Sequence, residues 1–147
     1  TAASLIERKV ITRLSHFRYA YITCTSETLE ETAATEDHIF AKPLALTRLA
    51  HYLMDWHREN GKWTGSKARP LILMAEKPPN SFMVVGFVYP ESSGDHTKNT
   101  FGKKFNLAAQ SMRGTFRFDS FDSNVVEVAR EDVQRFIEQL HYLMDSL

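Results

Sequence analysis

The side chains of this sequence that most clearly suggest ligand binding are cations. They lie on or beside predicted strands. The chain of 147 residues carries 18 basic and 18 acidic residues, so its formal net charge is zero. The charges are segregated, since residues 61–117 hold nine Lys or Arg against three acids and residues 118–147 hold seven acids against two bases. Cations grouped in this way favour binding of an anionic partner if the fold brings them to one face. The candidate binding residues are Arg18, Lys67, Arg69, Lys77, Lys103, Lys104, Arg113 and Arg117.

The other reactive side chains form no pattern that indicates catalysis. His51 and His57 are six residues apart and fall on different helix faces, and no His or Cys pair has metal-ligand spacing. The single cysteine, Cys24, lies in a predicted strand and is expected to be a buried thiol. Asp119 and Asp122 could hold a magnesium ion, but their serine neighbours are typical of a turn. The sequence therefore predicts no catalytic residue, no metal site and no cofactor.

Two amphipathic helices are the clearest predicted elements. The first runs from about Pro43 to Glu59, with proline at the first helical position and Asn60-Gly61 as the stop signal. The second is C-terminal, and its apolar residues recur at spacings of three and four. That apolar stripe consists of Val133, Phe136, Ile137, Leu140, Leu143, Met144 and Leu147.

Most of the remaining sequence predicts strands. The apolar runs 70–77 and 81–89 flank Pro78-Pro79-Asn80, which predicts a hairpin. Further strands are expected at 17–25, 114–119 and 124–129, with a weaker one at 104–111. The segments 26–37 and 91–100 are polar and are expected to be exposed loops.

Alternation along the strands predicts which side chains share a face. Arg18, Ala20 and Ile22 fall on one face of their strand, and Arg117 is flanked by two Phe side chains that point the other way. If the helices pack on one side of the sheet, the opposite side stays open. Cations and aromatic rings on an open sheet would bind a single-stranded nucleic acid. The alternative is a solvated sheet edge with ordinary surface cations.

The pentapeptide His-Tyr-Leu-Met-Asp occurs twice, at 51–55 and at 141–145. Each copy lies in a predicted helix that follows strands. We therefore interpret residues 1–147 as a single α+β domain of two pseudo-repeated units of antiparallel strands followed by a helix, at about 1–60 and 61–147. The alternative is two unrelated amphipathic helices.

The order of elements resembles the Whirly-type fold over about residues 38–147. The resemblance rests on KPLALTRLAHYLMDWHREN, the connection GKWTGSKARP, the hairpin LILMAEK and FMVVGFV, the strand NVVEVA, and REDVQRFIEQLHYLMDSL. A strand similar to the Lys-Gly-Lys-Ala-Ala-Leu signature of plant Whirly proteins does not occur in residues 1–37. The chain accordingly looks more like the kinetoplastid mitochondrial RNA-binding proteins, which share this fold.

That resemblance implies a mitochondrial, non-enzymatic protein of RNA editing. It would bind single-stranded guide RNA through phosphate contacts, promote RNA annealing, and act with a related subunit in a heterotetramer without a membrane partner. Three alternatives remain open at this point. They are a Whirly protein that binds single-stranded DNA, a small metal-dependent nuclease, and a protein-interaction subunit whose apolar helices dock partners.

Overall fold

The described part of the chain forms six strands and three helices. The structure is a computed structural model and describes residues 11–22, 39–61, 69–88 and 100–146. Short 3-10 turns at Ile39–Ala41 and Arg130–Asp132 precede the first and third helices. The elements in chain order are β1 (Thr12–Arg13), β2 (Arg18–Ile22), α1 (Pro43–Glu59), β3 (Leu71–Lys77), β4 (Ser81–Phe87), α2 (Phe101–Ser111), β5 (Phe116–Phe118), β6 (Val125–Ala129) and α3 (Val133–Asp145).

The six strands form one mixed sheet in the order β1-β2-β3-β4-β6-β5. β2 and β3 run parallel, with Arg18 opposite Leu71, and the other neighbouring pairs are antiparallel. The expected α+β class is confirmed. The expectation of purely antiparallel units is wrong at the β2–β3 pair, because the chain crosses over through α1 before β3 and so returns in the same direction.

Helices cover both faces of the central strands. Leu71, Leu73 and Ala75 of β3 pack in the core beneath α1, whereas Ile72 and Met74 pack in the core beneath α2 and α3. The expectation that all helices lie on one side and leave the other side open is therefore wrong for these strands. Continuous apolar runs such as Leu71 to Ala75 are typical of strands that are buried on both faces, and the sequence contains this signal.

The two predicted helices are confirmed, and a third replaces a predicted strand. α1 begins at Pro43 and ends before Gly61, whose φ of 63° suits glycine. The segment 104–111 was expected to be a strand, but residues 101–111 form α2. Its buried Phe101, Phe105 and Ala108 recur at spacings of four and three, which is a helical period. No helix in the described ranges combines the length and apolarity needed to cross a membrane.

The predicted strands are otherwise confirmed within the described residues. Lys77 pairs with Ser81 across the predicted hairpin, and β2, β5 and β6 lie inside their predicted segments. Cys24 and most of both expected loops, at 26–37 and 91–99, lie outside the described residues. Thr100, the last residue of the second expected loop, is the N-cap of α2.

The two copies of the repeated pentapeptide lie on opposite faces of the sheet. In α1, Leu53 and Met54 are fully buried on one face, and in α3, Leu143 and Met144 are partly buried on the other. The histidines of both copies pack on phenylalanine rings, His51 on Phe87 with ring centroids 4.2 Å apart. The corresponding distance from His141 to Phe17 is 5.9 Å. Packing thus accounts for both histidines, and the division of the domain into two repeats stays a prediction.

Candidate functional site

A groove of about 590 Å³ lies on the α1 face of the sheet, at the end formed by β5 and β6. α1 packs chiefly on β3 and β4, so the helix leaves this end of the face uncovered. We call it the charged groove. It is lined by Ala41, Lys42, Pro43, Lys77, Pro78, Met83, Arg117, Phe118, Asp119, Ser120, Val125 and Glu127.

Glu127 of β6 is the best-anchored charged group of the groove. Its carboxylate accepts a hydrogen bond from Lys77 Nζ at 2.7 Å and another from Ser81 Oγ at 2.8 Å. Arg117 lies directly opposite Glu127 in the β5–β6 register. Burial acts to raise the pKa of Glu127, but the hydrogen bonds from Lys77 and Ser81 and the charges of Lys77 and Arg117 hold it below its usual value. Glu127 is therefore a structural anion at neutral pH.

Two cations of the groove, unlike Lys77, are not paired with a carboxylate in the described part of the chain. Lys42 and Arg117 are exposed, and neither side chain forms a hydrogen bond or salt bridge with another described residue. Arg117 is held near the carboxylate of Glu127 only by the pairing of their strands. These two side chains are thus available to an anionic ligand, whereas Lys77 is already paired.

The turn after β5 is fixed by its own aspartates. Asp119 Oδ1 accepts the backbone N–H groups of Phe121 and Asp122 at 2.8 and 2.9 Å. Asp122 Oδ1 accepts the N–H of Asn124 at 2.9 Å. These bonds are typical of turn-forming aspartates. Among the described residues, no three His, Cys, Asp or Glu side chains are grouped to hold a metal. The expected absence of a metal site stays a prediction. Phe121 stands fully exposed at the tip.

Of the candidate cations that the structure describes, Lys77 and Arg117 line the charged groove. Arg18 is buried, and burial, with the charges of Arg13 and Arg69, lowers its pKa to about 10, so it stays charged at neutral pH. Arg69 donates a hydrogen bond to the carbonyl oxygen of Leu14 at 2.7 Å. Arg18 and Arg69 therefore interact within the β1–β2 end of the fold, and neither lines the charged groove.

The remaining candidates lie elsewhere. Lys103 and Lys104 are on α2, against the opposite face of the sheet, and Arg113 follows that helix. Lys104 lies over the ring of Phe101 at 5.8 Å, and burial lowers the pKa of its ammonium group. Lys67 lies outside the described residues. Lys103 and Lys104 are not on the sheet, because the segment 104–111, expected to be a strand, belongs to a helix.

Sequence reasoning did not single out Lys42, Ser81 or Glu127. A signal for Glu127 exists, since it is the one acid within the apolar strand Val125–Ala129. A lone charge on a half-buried strand calls for a partner. Its partner Lys77 is 50 residues away in sequence, so only the tertiary structure reveals the pair.

Comparison with known proteins gives a consistent family. The CDC45 family model matches residues 1–143. A cell division control protein 45 homolog of Dictyostelium discoideum is 35% identical over 144 residues, which is 97% of this chain and 20% of that protein. The Homo sapiens homolog is 30% identical over 108 residues, covering 72% of this chain and 19% of that protein. The crystal structure of CDC45 from Entamoeba histolytica superposes with a TM-score of 0.64 at 26% identity, covering 97% of this chain and 27% of that one.

The chain therefore belongs to the CDC45 family, and it spans about a fifth of the length of the curated relatives it matches. This finding overturns the Whirly-type resemblance and what it implied: guide-RNA binding, RNA annealing, RNA editing and a heterotetramer with a related subunit. The resemblance rested on the order of elements along the chain. That order does not determine how the strands pair or which face of the sheet each helix covers. Mitochondrial localisation, which followed from the resemblance, stays a prediction.

Proposed function

We propose that this CDC45-family chain serves in cell division control. The family match over residues 1–143 carries the proposal, because it spans almost the whole chain. The relatives in Dictyostelium discoideum and Homo sapiens are named cell division control protein 45 homologs. Since the chain covers about a fifth of those proteins, the proposed role is a contribution to their activity.

We propose further that the contribution is binding rather than catalysis. The support is that acidic side chains at the β5–β6 end of the sheet are already hydrogen-bonded within the fold. Glu127 is held by Lys77 and Ser81, Asp119 by backbone N–H groups, and Asp132 Oδ2 accepts the N–H of Thr115 at 3.1 Å. A carboxylate that is tied into the fold in this way is poorly placed to act as a general base, which needs free access to a substrate proton.

A segment exchange in Dictyostelium discoideum tests the role in cell division. The region of its homolog that aligns with this chain is replaced by residues 1–147, and the endogenous protein is depleted. We expect the chimera to restore division, since the two segments are 35% identical over 144 residues. Failure of a well-expressed chimera to restore division would count against the proposal.

The matched control is the same chimera carrying Phe136→Ala, which removes a fully buried ring and should not restore division. The DNA content of arrested cells then locates the controlled step. An unreplicated content places it at DNA replication, and a replicated content places it later. Division and DNA content are measured in the same cells, so both can be related to the expression level of each chimera.

A further inference from the structure

The outer edge of β5 is unpaired among the described residues. β5 is the last strand of the sheet and pairs with β6 on one side only. Asp119 N–H bonds to the Val125 carbonyl and Ala129 N–H to the Thr115 carbonyl, both at 3.2 Å. In an antiparallel pair, alternate residues point their backbone groups toward the partner. The N–H and C=O groups of Phe116 and Phe118 therefore point away from β6, toward the free edge.

The charged groove adjoins this edge. Arg117, the central residue of β5, lines the groove on the α1 face, and Lys42 lines it from the start of α1. Phe116 and Phe118 point to the opposite face, where both pack against the core beneath α2 and α3. An additional strand beside β5 would thus meet cations on one face and aromatic rings on the other.

We propose that the β5 edge and the charged groove together bind an extended acidic peptide segment of a partner protein. Its main chain would bond to the backbone groups of Phe116 and Phe118, as in β-strand addition. Its acidic side chains would face Arg117 and Lys42, and the alternate apolar side chains would face the two phenylalanines. The proposal rests on the proposed binding role and names its ligand class.

The free backbone groups favour a peptide over a nucleic acid. Main-chain pairing with Phe116 and Phe118 requires a second peptide strand, which a nucleic acid does not supply. The three cations of the groove, Lys42, Lys77 and Arg117, outnumber its two carboxylates, Asp119 and Glu127, which favours acidic side chains on that strand. A second copy of this chain is disfavoured, because antiparallel self-pairing centred on Arg117 would place two Arg117 side chains opposite each other.

Fluorescence anisotropy with the chain of 147 residues tests the proposal. The probe is a fluorescein-labelled eight-residue peptide of alternating valine and glutamate. One comparison peptide has lysine in place of glutamate, and another has N-methylated backbone amides that cannot donate hydrogen bonds. We expect the acidic probe to bind and both comparison peptides to bind about tenfold or more weakly.

Three variants locate the site. Arg117→Gln and Lys42→Gln should each weaken binding of the acidic probe, Arg117→Gln by about tenfold or more. Arg48→Gln is the matched control, because Arg48 is an exposed arginine of α1 that lies outside the groove. Circular dichroism confirms that each variant is folded. In hydrogen exchange followed by NMR, the probe should slow exchange of the Phe116 and Phe118 amides.

The proposal is overturned by any of the following results: no binding of the acidic probe, equal binding of the lysine peptide, or an Arg117→Gln variant that binds normally. An oligo-dT strand that binds through Arg117 while the peptide does not would assign the groove to nucleic acid. Amide protection at Phe116 and Phe118 in a dimer of the free chain would assign the edge to a second copy.

Peptide binding and cell division are separate readouts. A chimera that restores division, from a chain that does not bind the probe, overturns the peptide proposal alone. A chain that binds the probe, in a chimera that fails to restore division, overturns the proposed role in cell division alone.

Discussion

The centre of the sheet and its β5–β6 end are built from similar strands but in different environments. β3 and β4 are covered by α1 on one face and by α2 and α3 on the other, and their residues from Leu71 to Ala75 and from Phe82 to Val85 are buried. At the β5–β6 end, α2 and α3 cover one face while the other carries Arg117 and Glu127 beside the charged groove.

The difference separates stability from chemistry within one sheet. Apolar burial at the centre contributes most of the stabilisation, since each fully buried large side chain adds about 1.5–3 kcal/mol. A charged pair at the half-covered end adds little net stability, because solvation competes with the attraction. Substitutions at the centre should therefore change stability strongly, and substitutions at the end should change it weakly.

Removing a buried ring should have the largest effect. Phe136 of α3 is fully buried and packs on Phe105 and Phe116, each with ring centroids 5.5 Å away. Phe136→Ala should lower the free energy of unfolding by about 3–5 kcal/mol, because it removes apolar burial and leaves a cavity. Urea unfolding followed by circular dichroism measures the change. Truncation of a buried phenylalanine normally costs about 3 kcal/mol or more, so a loss of less than about 1 kcal/mol would contradict the burial of this ring in the core.

Adding one methyl group at the centre should have the second largest effect. A Cβ on Gly86 of β4 would lie only 2.7 Å from the Cβ of Phe101, so α2 would have to move. Gly86→Ala should cost about 1–3 kcal/mol through overpacking. Thermal unfolding of the two proteins measures it, and an unchanged midpoint would show that α2 is not held tightly on the sheet.

The ion pair at the end should have a smaller, pH-dependent effect. The pKa of Glu127 is lowered in the folded state, so its stabilisation is present above the unfolded value of about 4.3 and is lost as the pH falls through the folded value. Glu127→Gln should therefore cost about 1 kcal/mol at neutral pH and clearly less at about pH 3. Urea unfolding at both pH values measures this difference.

Glu131→Gln is the matched control for the ion pair. Glu131 is exposed and forms no salt bridge with another described residue. The difference in the free energy of unfolding between wild type and Glu131→Gln should stay near zero at both pH values. If the free-energy cost of Glu127→Gln is the same in acid as at neutral pH, the Glu127 side chain stabilises the fold through packing and not through its charge.

The smallest effect is expected at the exposed phenylalanine of the turn after β5. Phe121 is fully exposed, so Phe121→Ala removes no buried surface. The free energy of unfolding should change by less than about 0.5 kcal/mol. Because the substitution has the same chemistry as Phe136→Ala, the two variants form a direct pair. A cost of more than about 1 kcal/mol at Phe121 would show that the turn packs on another part of the chain.

Local patterns explain what could be predicted. The start of α1 at Pro43, the α3 stripe from Val133 to Met144 and the β3–β4 hairpin all depend on residues close in sequence, and all are confirmed. Leu147, the last residue of the predicted stripe, lies outside the described residues. The strand expected at 104–111 is wrong, because residues 101–111 form α2, which begins at Phe101 directly after the segment expected to be a loop. Its helical period becomes evident only when Phe101 is counted with Phe105 and Ala108.

The sequence by itself determined which segments are apolar and which of them are helical or extended at α1, α3 and the hairpin. It also determined that basic residues outnumber acidic ones at 61–117. Tertiary structure alone decided which face each helix covers, the parallel pairing of β2 with β3, and the partners of each charge. Lys77 and Glu127 meet across 50 residues of sequence, and Arg117 faces Glu127 only through the β5–β6 register. The physical reason is that periodicity follows from the local backbone, whereas the environment of a charge is set by segments that only folding brings together.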